Sequence, residues 1–60
     1  NTIIMSLWEV DDQATSYMMQ NFYKNLVKGK NKREAFSIAQ AAVKKKYSDP
    51  RYWAAFIMLD

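Results

Sequence analysis

An apolar run lies at each end of this chain, and the two runs enclose a stretch with helical periodicity. Residues 2–8 and 52–59 are dominated by β-branched, long aliphatic and aromatic side chains. Short, nearly continuous apolar runs are typical of strands that are buried on both faces of a sheet. Periodicity alone leaves a short buried helix open for the second run, but its aromatic and branched residues favour a strand.

The first part of the middle stretch predicts an amphipathic helix over residues 13–28. Its apolar residues recur every four positions at Ala14, Met18, Phe22 and Leu26. Asp12 directly precedes them and is placed to cap the helix by accepting hydrogen bonds from its first free N–H groups. Gly29 follows, and glycine readily adopts the left-handed conformation with which helices commonly end.

A second helix is predicted after this tight turn. Asn31 and Glu34 have the spacing of a capping box at its start. The apolar residues that fit the helical pattern are Ala35, Phe36, Ala39, Ala42, Val43 and Tyr47. The helix should end before Pro50, which cannot continue it. The predicted order of elements is therefore strand, helix, helix, strand.

Two strands that are apolar on both faces need a layer of structure on each side, and two helices supply only one layer. The sequence therefore predicts an incomplete α/β fold, either a fragment of a larger domain or a subunit that completes its core by association. Isolated, it is expected to self-associate through exposed apolar edges. The residues expected to be buried are Ile3, Ile4, Phe22, Leu26, Phe36, Ala39, Val43, Phe56 and Ile57.

Cysteine and histidine are both absent from the sequence. The chain therefore lacks the commonest general base, the commonest metal ligands and a thiol nucleophile. We expect it to hold no catalytic residue, no metal and no cofactor. It has no signal-peptide pattern, and its longest apolar run is far shorter than the roughly 20 residues of a membrane helix. A cytoplasmic protein without a membrane partner is expected.

Charge is distributed unevenly along the chain. Residues 1–23 carry Glu9, Asp11 and Asp12 and no base, whereas residues 24–46 carry eight bases and one acid. A basic stretch raises nucleic acid as a partner. The pattern favours a solvated helix face instead, because the bases lie opposite an apolar stripe. We therefore expect no nucleic-acid partner.

Four blocks of sequence follow one another with family-like spacing. They are S-L-W-E-V-D-D-Q-A-T at residues 6–15, F-Y-x-x-L-x-x-G at 22–29, E-A-x-x-x-A-Q at 34–40 and P-x-x-W-A-A-F at 50–56. Together they resemble the C-terminal part of CHAT domains, which are caspase-like cysteine peptidases. The resemblance covers nearly all of the chain, and Leu59-Asp60 depart from the glycine that is frequent at its end.

The resemblance implies that residues 1–60 are the C-terminal segment of such a domain. They would contribute the last two strands and the intervening helix pair of a caspase-like, mostly parallel sheet. In the family the catalytic histidine and cysteine precede the S-L-W strand, so this segment alone would be inactive. Its partners would be the remainder of the parent peptidase domain and a protein or peptide substrate.

The resemblance also implies a place for the substrate. Open α/β sheets bind ligands at the carboxyl ends of their strands, so Trp8, Glu9, Asp11 and Asp12 would edge the substrate cleft. Separase-like relatives carry a similar L-W-acid-V-x-D stretch and favour basic substrate residues, and Asp12 or Asp11 would accept such a residue. The residue pattern alone favours a helix cap for Asp12 and core packing for Trp8.

Two other functions fit parts of the sequence. Ala35, Ala39, Tyr47 and Pro50 faintly resemble the second helix of a tetratricopeptide repeat, a protein-interaction module, but the chain shows no 34-residue repeat. Two helices around Gly29 with a basic middle also suggest a small helix-turn-helix nucleic-acid binder. That function ranks last, because the second helix has few of the exposed polar residues that read base edges.

Overall fold

Two strands and three helices make up the part of the chain that the structure describes, residues 3–59 of a computed structural model. In chain order they are β1 (Ile3–Ser6), α1 (Asp12–Val27), α2 (Lys32–Lys46), α3 (Pro50–Trp53) and β2 (Phe56–Leu59). The predicted mixed α/β class is confirmed. Thr2, which the prediction included in the first strand, lies outside the described residues.

Helices α1 and α2 form a hairpin around the predicted turn. Gly29 has a φ of 95°, and its N–H donates to the carbonyl of Leu26 at 3.0 Å. The side-chain oxygen of Asn31 then accepts from the N–H of Glu34 at 2.9 Å, while its amide nitrogen donates to the Glu34 carboxylate at 2.7 Å. The first bond satisfies a free backbone N–H at the start of α2, where the Asn31–Glu34 spacing predicts the helix to begin, and the second joins the two side chains beside it.

The core lies between the helix hairpin and one face of the sheet. Its buried apolar residues are Ala14, Met18, Phe22, Ala35, Ala39, Val43, Ala55 and Phe56. Alanines at three of the contact positions let the two helices approach closely. The predicted burial of Phe22, Ala39, Val43 and Phe56 is confirmed, whereas Leu26 and Phe36 are only partly buried.

The two strands pair antiparallel, with Ile3 opposite Leu59 and Met5 opposite Ile57. The prediction of a mostly parallel sheet is therefore not confirmed by the strands of this chain. One crossover helix returns the chain to the start of a strand and gives parallel neighbours. Here two helices that run in opposite directions bring the chain back to the end of β1, so β2 runs the other way.

The sheet has one covered face and one open face. Ile4 and Met58 pack with Phe56 against the core. Alternation along the strands turns the next residues away from the helices. We call this second surface the open sheet face: Ile3, Met5, Ile57 and Leu59. Ile3 is 54% exposed, so its predicted burial is wrong for this chain by itself.

The final apolar run is divided between a helix and a strand. The sequence predicts a strand over residues 52–59, but residues 50–53 form α3 and β2 begins only at Phe56. Proline at the first helical position is already set to a helical φ, and the side chain of Asp49 accepts from the N–H of Arg51 at 2.9 Å. Asp49 and Pro50 therefore start α3, whereas the sequence predicted only that the preceding helix ends before Pro50.

Candidate functional site

The four predicted substrate-site residues lie on the surface where β1 leads into α1. Trp8 and Glu9 are in the connecting loop, Asp11 is the N-cap of α1 and Asp12 is the first residue of that helix. All four are exposed. Trp8 is 44% exposed, so the expectation that it fills the core is wrong for this chain.

Asp11, rather than Asp12, caps α1. Its Oδ2 accepts from the backbone N–H of Gln13 at 3.0 Å and of Ala14 at 3.3 Å. The backbone of Asp11 is non-helical, with φ −49° and ψ 136°, as an N-cap residue requires for its side chain to turn back onto the helix. The predicted cap at Asp12 is therefore wrong by one position.

The carboxylates of Glu9 and Asp12 are free to bind a ligand. Within residues 3–59 neither side chain makes a hydrogen bond or an ion pair. Asp12 lies in the first turn of α1, where the aligned backbone N–H groups stabilise a negative charge. The loop thus presents the free carboxylates of Glu9 and Asp12, whereas the Asp11 carboxylate is hydrogen-bonded to the N–H groups of α1.

The first part of the loop is attached to the segment between α3 and β2. The N–H of Leu7 donates to the carbonyl of Ala55 at 2.8 Å, which continues the hydrogen bonding of the strands by one residue. The indole N–H of Trp8 donates to the carbonyl of Arg51 at 3.0 Å. Val10 then packs partly buried against the core, so the loop is held on both sides of Glu9.

Helix α3 is stabilised by an ion pair at its start and by a ring contact with the end of α2. The Asp49 carboxylate accepts two bonds from the Arg51 guanidinium, at 2.8 and 3.1 Å. The hydrogen bonds from Arg51 hold the pKa of Asp49 below its usual range, and Asp49 in turn raises the pKa of Arg51. The ring of Tyr52 stacks on Tyr47 with centroids 5.0 Å apart.

The lysines at the end of α2 lie over aromatic rings. The Lys44 ammonium is 4.8 Å from the centroid of Trp53, and that of Lys46 is 4.4 Å from the centroid of Tyr17. Cations at this distance from a ring face are attracted by its negative quadrupole. The basic run therefore covers aromatic surface, which the prediction of a simply solvated helix face did not include.

Two properties of residues 3–59 bear on other kinds of site. No three histidine, cysteine, aspartate or glutamate residues in this range are grouped so that they could hold a metal ion. None of its helices combines the length and the hydropathy that crossing a bilayer requires.

Comparison with protein families identifies a match. The family model of the CHAT domain matches residues 1–60, the whole of the chain. No curated protein and no solved structure shows significant similarity to it.

Proposed function

Because the chain belongs to the CHAT domain family, we propose that it forms the substrate-side, C-terminal section of a cytoplasmic caspase-like cysteine peptidase. The sequence contains no cysteine and no histidine, so the thiolate and its base would come from the remainder of the parent domain. Alone, the sixty residues would not cleave peptides, because this covalent mechanism needs both groups. Their contribution would be to bind and orient the substrate.

The observation that carries this proposal is the division of roles between the neighbouring aspartates. Asp11 is occupied by the N–H groups of α1, and Asp12 is exposed and free of hydrogen bonds to the rest of residues 3–59. A free carboxylate can accept a substrate arginine through two parallel, charge-assisted hydrogen bonds. Asp12 would thus be the specificity residue and Asp11 its structural support, with Glu9 adding negative charge nearby.

The open sheet face supports the proposal that the rest of a domain completes the fold. Neither β1 nor β2 carries a charged residue, although charges on exposed strands are a usual protection against wrong pairing. Ile3, Met5 and Leu59 are each close to half exposed. A further layer from the parent domain would bury them, as the face of an α/β sheet requires.

The other two functions draw less support. A tetratricopeptide-like repeat needs a free apolar face on which a neighbouring repeat stacks, yet the apolar stripe of α2 is already used inside the chain. Ala35, Ala39 and Val43 are fully buried. Lys44 and Lys46, which would contact phosphates in a nucleic-acid complex, lie over aromatic rings.

The test is peptide cleavage by the full-length protein that contains these residues. Asp12→Asn should lower kcat/KM for an arginine-containing peptide far more than for its glutamine counterpart. If the bound substrate buries the charge pair, removing one partner should cost about 2–5 kcal/mol, roughly thirtyfold or more. Asp11→Asn is the matched control, because asparagine caps helices about as well as aspartate.

Each outcome has one interpretation. A preference that falls only in Asp12→Asn supports the assignment. An equal fall in Asp11→Asn would mean that the loop acts through its total charge, and an unchanged preference in both variants would remove this loop from the substrate site. If the unmodified protein cleaves no peptide under conditions in which it is folded, the peptidase function itself is wrong.

A further inference from the structure

The Trp8–Arg51 hydrogen bond connects the acidic loop to a distant part of the chain. The two residues are 43 positions apart, and the indole N–H reaches the Arg51 carbonyl at 3.0 Å while the ring stays 44% exposed. A tryptophan exposed to this extent contributes only part of the buried area that a core tryptophan supplies. Its polar atom, by contrast, is fully used, which points to a role in position rather than in packing.

The acceptor is well suited to hold the loop in place. Helix α3 has four residues, and a helix so short leaves most of its carbonyls without donors from its own backbone. The indole N–H of Trp8 satisfies one of them. The helix is fixed to α2, because the Gln40 side chain donates to the carbonyl of Trp53 at 2.9 Å and Tyr52 stacks on Tyr47. The bond therefore ties the loop to a rigid element.

We infer that Trp8 is a positioning residue for the carboxylates of Glu9 and Asp12. The Trp8 bond holds the start of the loop on α3, and the Asp11 cap holds its end on α1. A loop that is fixed at both ends has little conformational entropy left to lose when its carboxylates bind a cation. Because this entropic cost is smaller, binding is tighter. The identity of that cation, a basic substrate residue, rests on the proposed function, whereas the fixing of the loop does not.

The experiment compares two tryptophan variants in the full-length protein. Trp8→Phe keeps an aromatic ring and removes the N–H. Trp53→Phe is the matched control, because its indole N–H also donates to a backbone carbonyl, that of Ser48 at 3.2 Å, but does not contact the acidic loop. Amide hydrogen exchange at Leu7 and Gln13, both hydrogen-bonded where the loop begins and ends, reports on the loop. Exchange at the buried Val43 reports on the fold as a whole.

Trp8→Phe should accelerate exchange at Leu7 about fivefold, the factor that corresponds to the net loss of one neutral hydrogen bond. A smaller increase is expected at Gln13 and none at Val43. The same variant should weaken binding of a fluorescein-labelled arginine peptide about fivefold by anisotropy, relative to the glutamine peptide. Trp53→Phe should change neither quantity.

Unchanged exchange at Leu7 would overturn the inference, and so would an acceleration that includes Val43, because Trp8 would then stabilise the whole fold. Faster exchange at Leu7 with unaltered peptide binding would overturn the link to binding, provided that Asp12→Asn weakens it. If Asp12→Asn leaves binding unchanged as well, the proposed function fails. The exchange data then still decide whether Trp8 holds the loop.

Discussion

The open sheet face allows a quantitative prediction about the chain on its own. Ile3, Met5 and Leu59 are 54%, 44% and 50% exposed. Full burial of such side chains contributes about 1.5–3 kcal/mol each, so covering the exposed halves of all three adds roughly 2–5 kcal/mol per molecule, or roughly 4–9 kcal/mol when two molecules cover each other. Association of two molecules costs an estimated 4–15 kcal/mol in lost translational and rotational freedom. We therefore expect the isolated chain to self-associate weakly and in proportion to its concentration.

The substitution that tests this reasoning is Met5→Lys, which places a charge in the middle of the open sheet face. It should remove the concentration dependence of the sedimentation coefficient. Val27→Lys is the matched control, because Val27 is 88% exposed and is the last residue of α1 rather than part of the sheet. It adds the same charge and removes a similar apolar side chain, but it should leave association unchanged.

Two results would refute the reasoning. A compact monomer at every concentration would mean that the open sheet face needs no cover. Equal loss of association in both variants would mean that added charge, rather than this face, controls it. In the full-length protein the same face would be covered within one chain, without the cost of bringing two molecules together, and Met5→Lys should then lower the melting temperature.

Three further predictions concern stability in the full-length protein. Asp11→Ala should lower the free energy of unfolding by about 0.5–2 kcal/mol through loss of the α1 cap, and Asp11→Asn should not, as urea unfolding would show. Met18→Ala should cost about 2–5 kcal/mol because Met18 is fully buried, whereas Val27→Ala should stay within about 0.5 kcal/mol in the same assay. Arg51 lowers the pKa of Asp49, so the contribution of Asp49 to stability is present above its ordinary pKa and is lost as the pH falls through the lowered value. An NMR titration should show this lowered pKa, and Arg51→Ala should raise it; an Asp49 pKa that is the same in both proteins would contradict the pairing.

Much of the helical structure was predictable because it depends on local spacing. Residues four positions apart share a helix face, so the run from Ala14 to Phe22 identified α1, and Asn31 with Glu34 marked the start of α2. The direction of β2 was not predictable in the same way. It depends on how two helices route the chain through space, and a strand has the same apolar pattern in either direction.

The substrate site assigned to the β1–α1 loop stays a prediction, whereas the predicted helix cap in that loop was wrong by one position. Asp11 and Asp12 are chemically identical, and only the backbone angles at Asp11 decide which of them caps α1. The contact between Trp8 and Arg51 joins residues far apart in sequence, for which no periodic signal exists. The position of Lys46 over Tyr17 had a partial signal, since the end of α2 must lie beside the start of α1 in an antiparallel helix pair.

The pairing of Ile3 with Leu59 has a consequence for how the chain folds. The strands that form this pair are the first and last elements of residues 3–59, and the two long helices lie between them in sequence. Closing so long a loop costs more entropy than forming a helix hairpin from neighbouring residues. We expect α1 and α2 to associate first on the millisecond scale or faster, and the sheet to form last. Until β2 leaves the ribosome, β1 lacks this antiparallel partner, and we expect its exposed apolar residues to be a binding site for chaperones during synthesis.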